Sequence, residues 1–378
     1  MRPITPPAMI GIVGAGQLGR MLTQVAHRYG YQVAVLTGGD KQTPAGTVAD
    51  IEIAAEFDDP EAVQRFVDCV DVVTWELENV SLDVADVAIA ASVPVRPGPR
   101  VIAAARDRGA EKKAITSAGV PVAPYREVTS PSELEEAVIA FNAPVIIKTV
   151  RGGYDGKYQV RVASSPSSEF AGIFESLGSD RLIVEQEMLF DREVSVVVAR
   201  AADGLIVDHG VMENVHVNGI LDTTITPADI LLQVSAEAIS IAGKLADHLD
   251  VVGLLCVEMF VVGSELFVNE IAPRPHNSGH CTIEAAVASQ FEQHLRAICG
   301  LPLGDGTCRP AAMAQLLGEL WDTGEPDWIE VLSDPKVSMH LYGKREARQG
   351  RKMGHLTCVD TTPMLALEQV LAVRERLL

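Results

Sequence analysis

Residues 9–75 constrain the fold most, because strand-length apolar runs and helix-length amphipathic runs alternate along them. Met9–Val13, Gln32–Leu36, Ile51–Ala55 and Asp71–Trp75 read as strands, and Gln17–Tyr29 and Asp58–Cys69 as helices. Such alternation predicts an open, mostly parallel sheet with helices on both faces. The stretch Pro94-Val-Arg-Pro-Gly-Pro99 breaks the pattern and marks a boundary.

Beyond it the pattern changes. Ser130, Pro131 and Glu133 predict a helix start for Ser130–Phe141, and strands Val145–Lys148 and Gln159–Val162 flank a glycine-rich loop. Thr226-Pro227 predicts the start of a long amphipathic helix reaching about Leu249, followed by an antiparallel hairpin turning at Gly263-Ser264. From about Leu301 the chain reads as a small α+β tail ending in a helix.

Composition narrows the partners. There are 31 Lys+Arg against 51 Asp+Glu, a formal charge of −20, which argues against nucleic acid held through its phosphates. Apolar runs such as Val251 to Val262 contain Glu258 and are too short for a bilayer, so no membrane partner is expected. The leading residues lack the apolar core and cleavage site of a secretory signal. Six scattered cysteines form no C-x-x-C pair, the pattern of reduced thiols in a cytoplasmic enzyme.

Several short motifs carry chemistry. Gly14-Ala-Gly16-Gln17-Leu18-Gly19, between strand and helix, suits a phosphate at a helix N-terminus or a tight turn. A nicotinamide site also needs an acid ending the second strand, yet that strand ends Leu36-Thr37-Gly38-Gly39, with Asp40 beyond. Lys148, followed by Arg151-Gly152-Gly153-Tyr154-Asp155-Gly156-Lys157, is a cation delivered by an apolar strand into a glycine-rich loop able to fold over phosphates; a solvated hairpin turn is the bland alternative. Glu185, Gln186 and Glu187 close a strand, where a carboxylate and backbone amides can hold adenine and ribose, although any strand terminus looks alike.

The hairpin carries Glu258 and Asn269-Glu270. Two carboxylates in apolar strands are costly unless paired or bound to a cation, and facing carboxylates suit Mg²⁺ on ATP phosphates. A two-residue turn at Gly263-Ser264 pairs Glu258 with Asn269 and sends Glu270 to the other face, whereas a three-residue turn including Glu265 pairs Glu258 with Glu270. The metal reading requires the second register. The run Ala272-Pro-Arg274-Pro-His276-Asn277-Ser278-Gly279-His280 is dense in binding groups, and Lys344 to Lys352 packs five cations into nine residues, either a solvated face or an attractor for a phosphorylated substrate.

The ordered segments GIVGAGQLGRM, TWELEN, RGGYDGK, NEIAPRPHNSGH, SQFEQHLRAI and GRKMGH closely resemble the ATP-grasp ligases, and within them the 5-(carboxyamino)imidazole ribonucleotide synthetases of purine biosynthesis. The resemblance spans nearly the whole chain. It implies a pre-ATP-grasp Rossmann-like α/β domain over residues 1–105, an ATP-grasp domain over 106–305 with a lid subdomain at about 120–187, and a C-terminal α+β domain over 306–378. It further implies a homodimer that joins bicarbonate to 5-aminoimidazole ribonucleotide with ATP, through carboxyphosphate.

By this resemblance ATP meets Arg108, Lys148, Gly153, Tyr154, Asp155, Gly156, Lys157, Tyr158, Gln159, Glu185, Gln186, Glu187, Met188, Glu193, His216, Asn269 and Glu270. Glu258 and Glu270 carry Mg²⁺, with Mn²⁺ as the alternative. The ribonucleotide lies against Gln17, Leu18, Glu76, Tyr154, Arg274, His276, Asn277 and Ser278, with its phosphate on Lys344, Arg351 and Lys352; Tyr154, Lys157 and Arg274 are the catalytic candidates. Two positions depart from the pattern. Tyr158 stands where the family usually has glycine, which costs energy if the site needs positive φ, and Ala272 stands where many ATP-grasp enzymes place a metal-binding Asn. The rival expectations are a sister ligase with another acceptor such as formate, a nucleotide-binding protein without turnover, and a nicotinamide-dependent oxidoreductase.

Overall fold

A computed structural model describes residues 2–152, 158–163 and 170–377. The amino-terminal alternation folds as expected into a parallel four-stranded sheet of order β3-β2-β1-β4, with β1 Met9–Val13, β2 Gln32–Leu36, β3 Ile51–Ile53 and β4 Val72–Trp75. β1 is paired on both edges, and Ile10, Ile12 and Val13 are fully buried, as a central parallel strand covered on both faces requires. The helix Pro60–Asp68 starts where Asp59 accepts hydrogen bonds from the Glu61 and Ala62 amides, with Pro60 in the first turn.

The second sheet, order β5-β8-β6-β7, contains β5 Tyr125–Val128, β6 Val145–Thr149, β7 Gln159–Val162 and β8 Leu182–Gln186. The third has eight strands in the order β13-β12-β9-β10-β11-β14-β16-β15. Its members are β9 Arg192–Arg200, β10 Ile206–Val217, β11 Ile220–Thr226, β12 Gly253–Val262, β13 Glu265–Ala272, β14 Ala311–Leu317, β15 Val337–Leu341 and β16 Lys352–Val359. The carboxy-terminal strands are therefore joined edge-on to the central ones, through β11 and β14, where Thr226 pairs with Ala311. The final helix, Pro363–Glu375, buries Ala366, Val370 and Val373 against Ile225, Leu316 and Leu356 of that sheet.

One expectation is corrected. The long helix begins at Leu232, not at Thr226-Pro227. Thr226 is the last residue of β11, and the Ala228 amide donates across to the Val211 carbonyl, so this segment continues an inter-strand ladder instead of opening a helix. Among the described residues no helix is long and apolar enough to cross a membrane.

Candidate active site

The β12–β13 hairpin turns through two residues, with Val262 opposite Glu265 and Met259 opposite Val268. Continued unbroken, that register would set Glu258 against Asn269. Instead the ladder shifts between Met259 and Glu258: Asn269 is the additional residue of a β-bulge, and Glu258 faces Glu270. The carboxylate pairing that the metal reading requires is present, but the bulge produces it and not a three-residue turn.

Glu258 and Glu270 line a cavity of about 330 Å³ between the second and third sheets. Arg108, Lys148, Gln159, Glu193, His216, Asn269, Arg274, His276, Asn277 and Lys352 line it too, so residues scattered through the sequence converge there. Arg108 opens the helix Arg108–Ser117, capped by Asp107, and its Nη1 lies 3.3 Å from Glu270 Oε2. From β6, Lys148 reaches Glu185 of β8 with Nζ 2.5 Å from Oε2. Lys112, one turn beyond Arg108, lies 3.2 Å from the other oxygen of Glu185 and donates to the Asn269 carbonyl at 2.8 Å. Burial alone would raise the Glu185 carboxyl, but the adjacent Lys148 and Lys112 outweigh it and hold it down at about 2.

Strand ends shape the remaining nucleotide candidates. The amides of Gln186 and Glu187 donate to the carbonyls of Pro124 and Pro144, so these residues offer a ligand carbonyls and side chains and not the expected N–H groups. Glu187 also forms a two-bond pair with Arg161 Nε at 2.8 Å. Half-buried Met188 follows directly. Glu193 and His216, on neighbouring strands, are hydrogen-bonded to each other; burial disfavours the imidazolium, but Glu193 prevails and raises the His216 pKa. Tyr158 has φ of 57°, the left-handed conformation in which glycine is favoured.

On the opposite side, Arg274 forks onto Glu78, with Nε to Oε2 at 2.5 Å and Nη2 to Oε1 at 3.0 Å. Burial opposes ionisation of Glu78, yet the guanidinium keeps its carboxyl below the usual range. His276 Nε2 lies 2.8 Å from Glu258 Oε1, and the Ser278 amide donates to its Nδ1 at 3.3 Å. A carboxylate can only accept, so Nε2 carries its proton toward Glu258. Ser278 itself is fully buried, its hydroxyl 2.9 Å from His276 Nδ1 and accepting from Ser195, which places it behind the imidazole and not on the cavity wall. Gln17 Nε2 donates to Asn277 Oδ1 at 3.4 Å. Of the basic run, Lys352 reaches the cavity; Lys344 donates to the Lys352 carbonyl, and Arg351 to the Glu346 carbonyl.

The glycine-rich turn holds a carboxylate of the chain itself. The Gly16 and Leu18 amides donate to Glu76, whose burial raises its pKa despite those bonds. A Cβ on Gly16 would stand 2.6 Å from Glu76 Oε1, so the glycine is needed for close approach to Glu76. Glu76 and Leu18 are both buried beside this turn.

The expected contacts of Gly153, Tyr154, Asp155, Gly156 and Lys157 fall outside the described residues. Sequence reading missed Glu78, Glu111 and Lys112 as members of the site. Glu111 is buried, accepts from the Ile271 amide at 2.7 Å, and has its carboxyl pushed up to about 8 by burial and by Glu270. The signal for Glu111 and Lys112 was their spacing from Arg108, which places them one helical turn along the same face. Among the described residues no three His, Cys, Asp or Glu side chains converge as an all-protein metal cage. Two opposed carboxylates are instead the donor set that Mg²⁺ takes when phosphates complete its shell.

Known proteins resemble the chain along nearly its whole length. Residues 8–106 match the ribonucleotide synthetase preATP-grasp domain, 113–291 the ATP-grasp domain, and 311–369 the phosphoribosylaminoimidazole carboxylase C-terminal domain. The N5-carboxyaminoimidazole ribonucleotide synthase of Bacillus subtilis (strain 168) is 43% identical over 94% of this chain and 92% of its own. The Staphylococcus aureus N5-carboxyaminoimidazole synthetase, solved with ADP, superposes with a TM-score of 0.90 at 34% identity, covering 99% of this chain and 98% of that one. The Aspergillus clavatus N5-carboxyaminoimidazole synthase, solved with ADP and 5-aminoimidazole ribonucleotide, gives 0.87 at 29% identity, covering 98% of each. The chain belongs to the N5-carboxyaminoimidazole ribonucleotide synthase family of ATP-grasp ligases.

Proposed function

We infer that this chain carboxylates 5-aminoimidazole ribonucleotide in an ATP-dependent reaction, giving N5-carboxyaminoimidazole ribonucleotide, ADP and phosphate, with bicarbonate as the carbon source and carboxyphosphate as the activated intermediate. The observation that carries this reading is a single cavity lined by Lys148, Arg108, opposed Glu258 and Glu270, and the Arg274–His276 segment. Phosphoryl donor and acceptor sites must adjoin in this way, because carboxyphosphate hydrolyses quickly in water and has to react where it forms.

In this reading Arg108 and Lys148, the latter paired with buried Glu185, hold the triphosphate, and residues 186–188 with Glu193 and His216 hold the nucleoside. Glu258 and Glu270 would hold Mg²⁺, which when bound supplies charge neutralisation on the phosphates. Arg274, oriented by Glu78, presents a cation beside the transferred carboxylate, and His276 offers polar contacts to the ribonucleotide near Asn277 and Gln17. Lys352, supported by Lys344, attracts the substrate phosphate. Tyr154 and Lys157 of the glycine-rich sequence are proposed to help keep water from the carboxyphosphate. Assembly as a homodimer is part of the same proposal and is read by sedimentation.

The test is incorporation of labelled bicarbonate into an acid-labile product, with ATP and the ribonucleotide both required. ADP release without label, or with formate replacing bicarbonate, would assign the chain to a different acceptor.

A further inference from the structure

Lys112 is 1% exposed, and it ties together three elements: its own helix, β8 through Glu185, and the β13 bulge through the Asn269 carbonyl. Its partner Glu185 is shared. One carboxylate, carrying one negative charge, has Lys148 Nζ 2.5 Å from one oxygen and Lys112 Nζ 3.2 Å from the other. The triad thus has one positive charge in excess in a largely dry location, an arrangement that is costly unless an anion arrives to offset it. The two lysines differ in access. The Lys112 side chain is 2% exposed and lies behind the wall, whereas that of Lys148 is 14% exposed and faces the cavity.

We propose that Lys112 is a positioning residue for nucleotide phosphates: by drawing on the charge of Glu185 from behind, it leaves the Lys148 ammonium with positive charge in excess, directed into the cavity. Without Lys112, Glu185 would neutralise Lys148 alone, and the ammonium would meet a phosphate as half of a closed ion pair. This inference rests on the nucleotide reading given above. It extends that reading to a residue that would not itself touch ATP.

The test is calorimetric titration of the full chain with ADP and Mg²⁺, together with the KM values for ATP and for 5-aminoimidazole ribonucleotide. Lys112→Met is expected to weaken ADP binding at least tenfold and raise the KM for ATP, while the KM for the ribonucleotide stays within twofold. Lys112→Arg, which keeps the charge, is expected to stay within threefold of the parent for ADP. Adding Glu185→Gln to Lys112→Met is expected to recover ADP affinity, since it frees Lys148, an effect that simple loss of packing cannot produce. Parental ADP affinity in Lys112→Met, an equal rise in both KM values, or a double variant weaker than Lys112→Met would overturn the proposal. Should Lys112→Met not fold, Glu185→Gln alone decides: tighter ADP binding supports the charge-sharing role and weaker binding overturns it. A parent chain that binds no ADP would instead overturn the nucleotide reading itself.

Discussion

Glu258 and Glu270 face each other because Asn269 is bulged out of the ladder between β12 and β13. Residues directly opposite on antiparallel strands project to the same face, so one additional residue decides whether two carboxylates cooperate or point apart. The bulge is held from behind by Lys112, which donates to the Asn269 carbonyl at 2.8 Å.

Glu270→Gln keeps the shape of the side chain and removes the charge. It is expected to lower Mg²⁺-dependent turnover by about two orders of magnitude, the scale of losing a main electrostatic contact to the transferring phosphoryl group. The melting temperature should change little, because the Glu270 side chain is 41% exposed. Activity within threefold of the parent, measured as ADP release across a Mg²⁺ titration, would remove Glu270 from the metal site.

The limits of sequence reading are visible in the same hairpin. The apolar runs and Gly263-Ser264 reveal two strands and their turn, but counting outward from a turn holds only as far as the first irregularity, and no residue type announces the bulge at Asn269. The parallel sheet was legible because its alternation repeats over many residues. The helix start at Leu232 was not, since Thr226-Pro227 is a good helix opening that tertiary pairing with Ala311 uses as a strand end. Lys148 and Arg274 were legible through their motifs, and Arg108 through the family resemblance. Glu78 and Lys112 were hidden because acids and lysines in polar stretches ordinarily face water; here each serves as the partner of a motif residue, a relation that only folding creates.

Arg274 engages Glu78 through two parallel hydrogen bonds, a geometry a lysine cannot reproduce. Arg274→Lys is therefore expected to lower kcat/KM at least tenfold, equivalent to about 1.4 kcal/mol or more of transition-state stabilisation. Glu78→Gln should move kcat/KM in the same direction, because it loosens the fork without removing the guanidinium. Steady-state kinetics with saturating ATP check both, and a fully active Arg274→Lys would show that a point charge suffices there.

Tyr158 adopts φ of 57°. The left-handed conformation costs an L-residue about 1–2 kcal/mol, partly offset by the greater unfolded-state freedom of glycine, about 0.5–1 kcal/mol. Tyr158→Gly is thus expected to leave stability equal to the parent or up to about 1.5 kcal/mol higher. Tyr158→Val, branched at Cβ, should be lower by about 1 kcal/mol or more. Urea unfolding of the pair distinguishes the conformational effect from side-chain contacts: if Val is as stable as Gly, backbone strain is not the controlling factor.

Glu185 makes the acid limb of the stability curve predictable. Its burial works against ionisation, but Lys148 and Lys112 bring the folded-state pKa to about 2, below the ordinary 4.5. A depressed carboxyl pKa contributes stability that is fully present above about 4.5 and is lost as pH falls through about 2. The contribution is on the order of 3 kcal/mol for a carboxyl so enclosed. Glu185→Gln is expected to be less stable than the parent at pH 7 and to lose the steep decline of the parent between those two pH values. Chemical denaturation at a series of pH values from 7 down to 2 measures the slope directly. Parallel curves for parent and variant would mean that the two lysines do not hold Glu185 ionised, and that charge sharing between them is not a property of the folded chain.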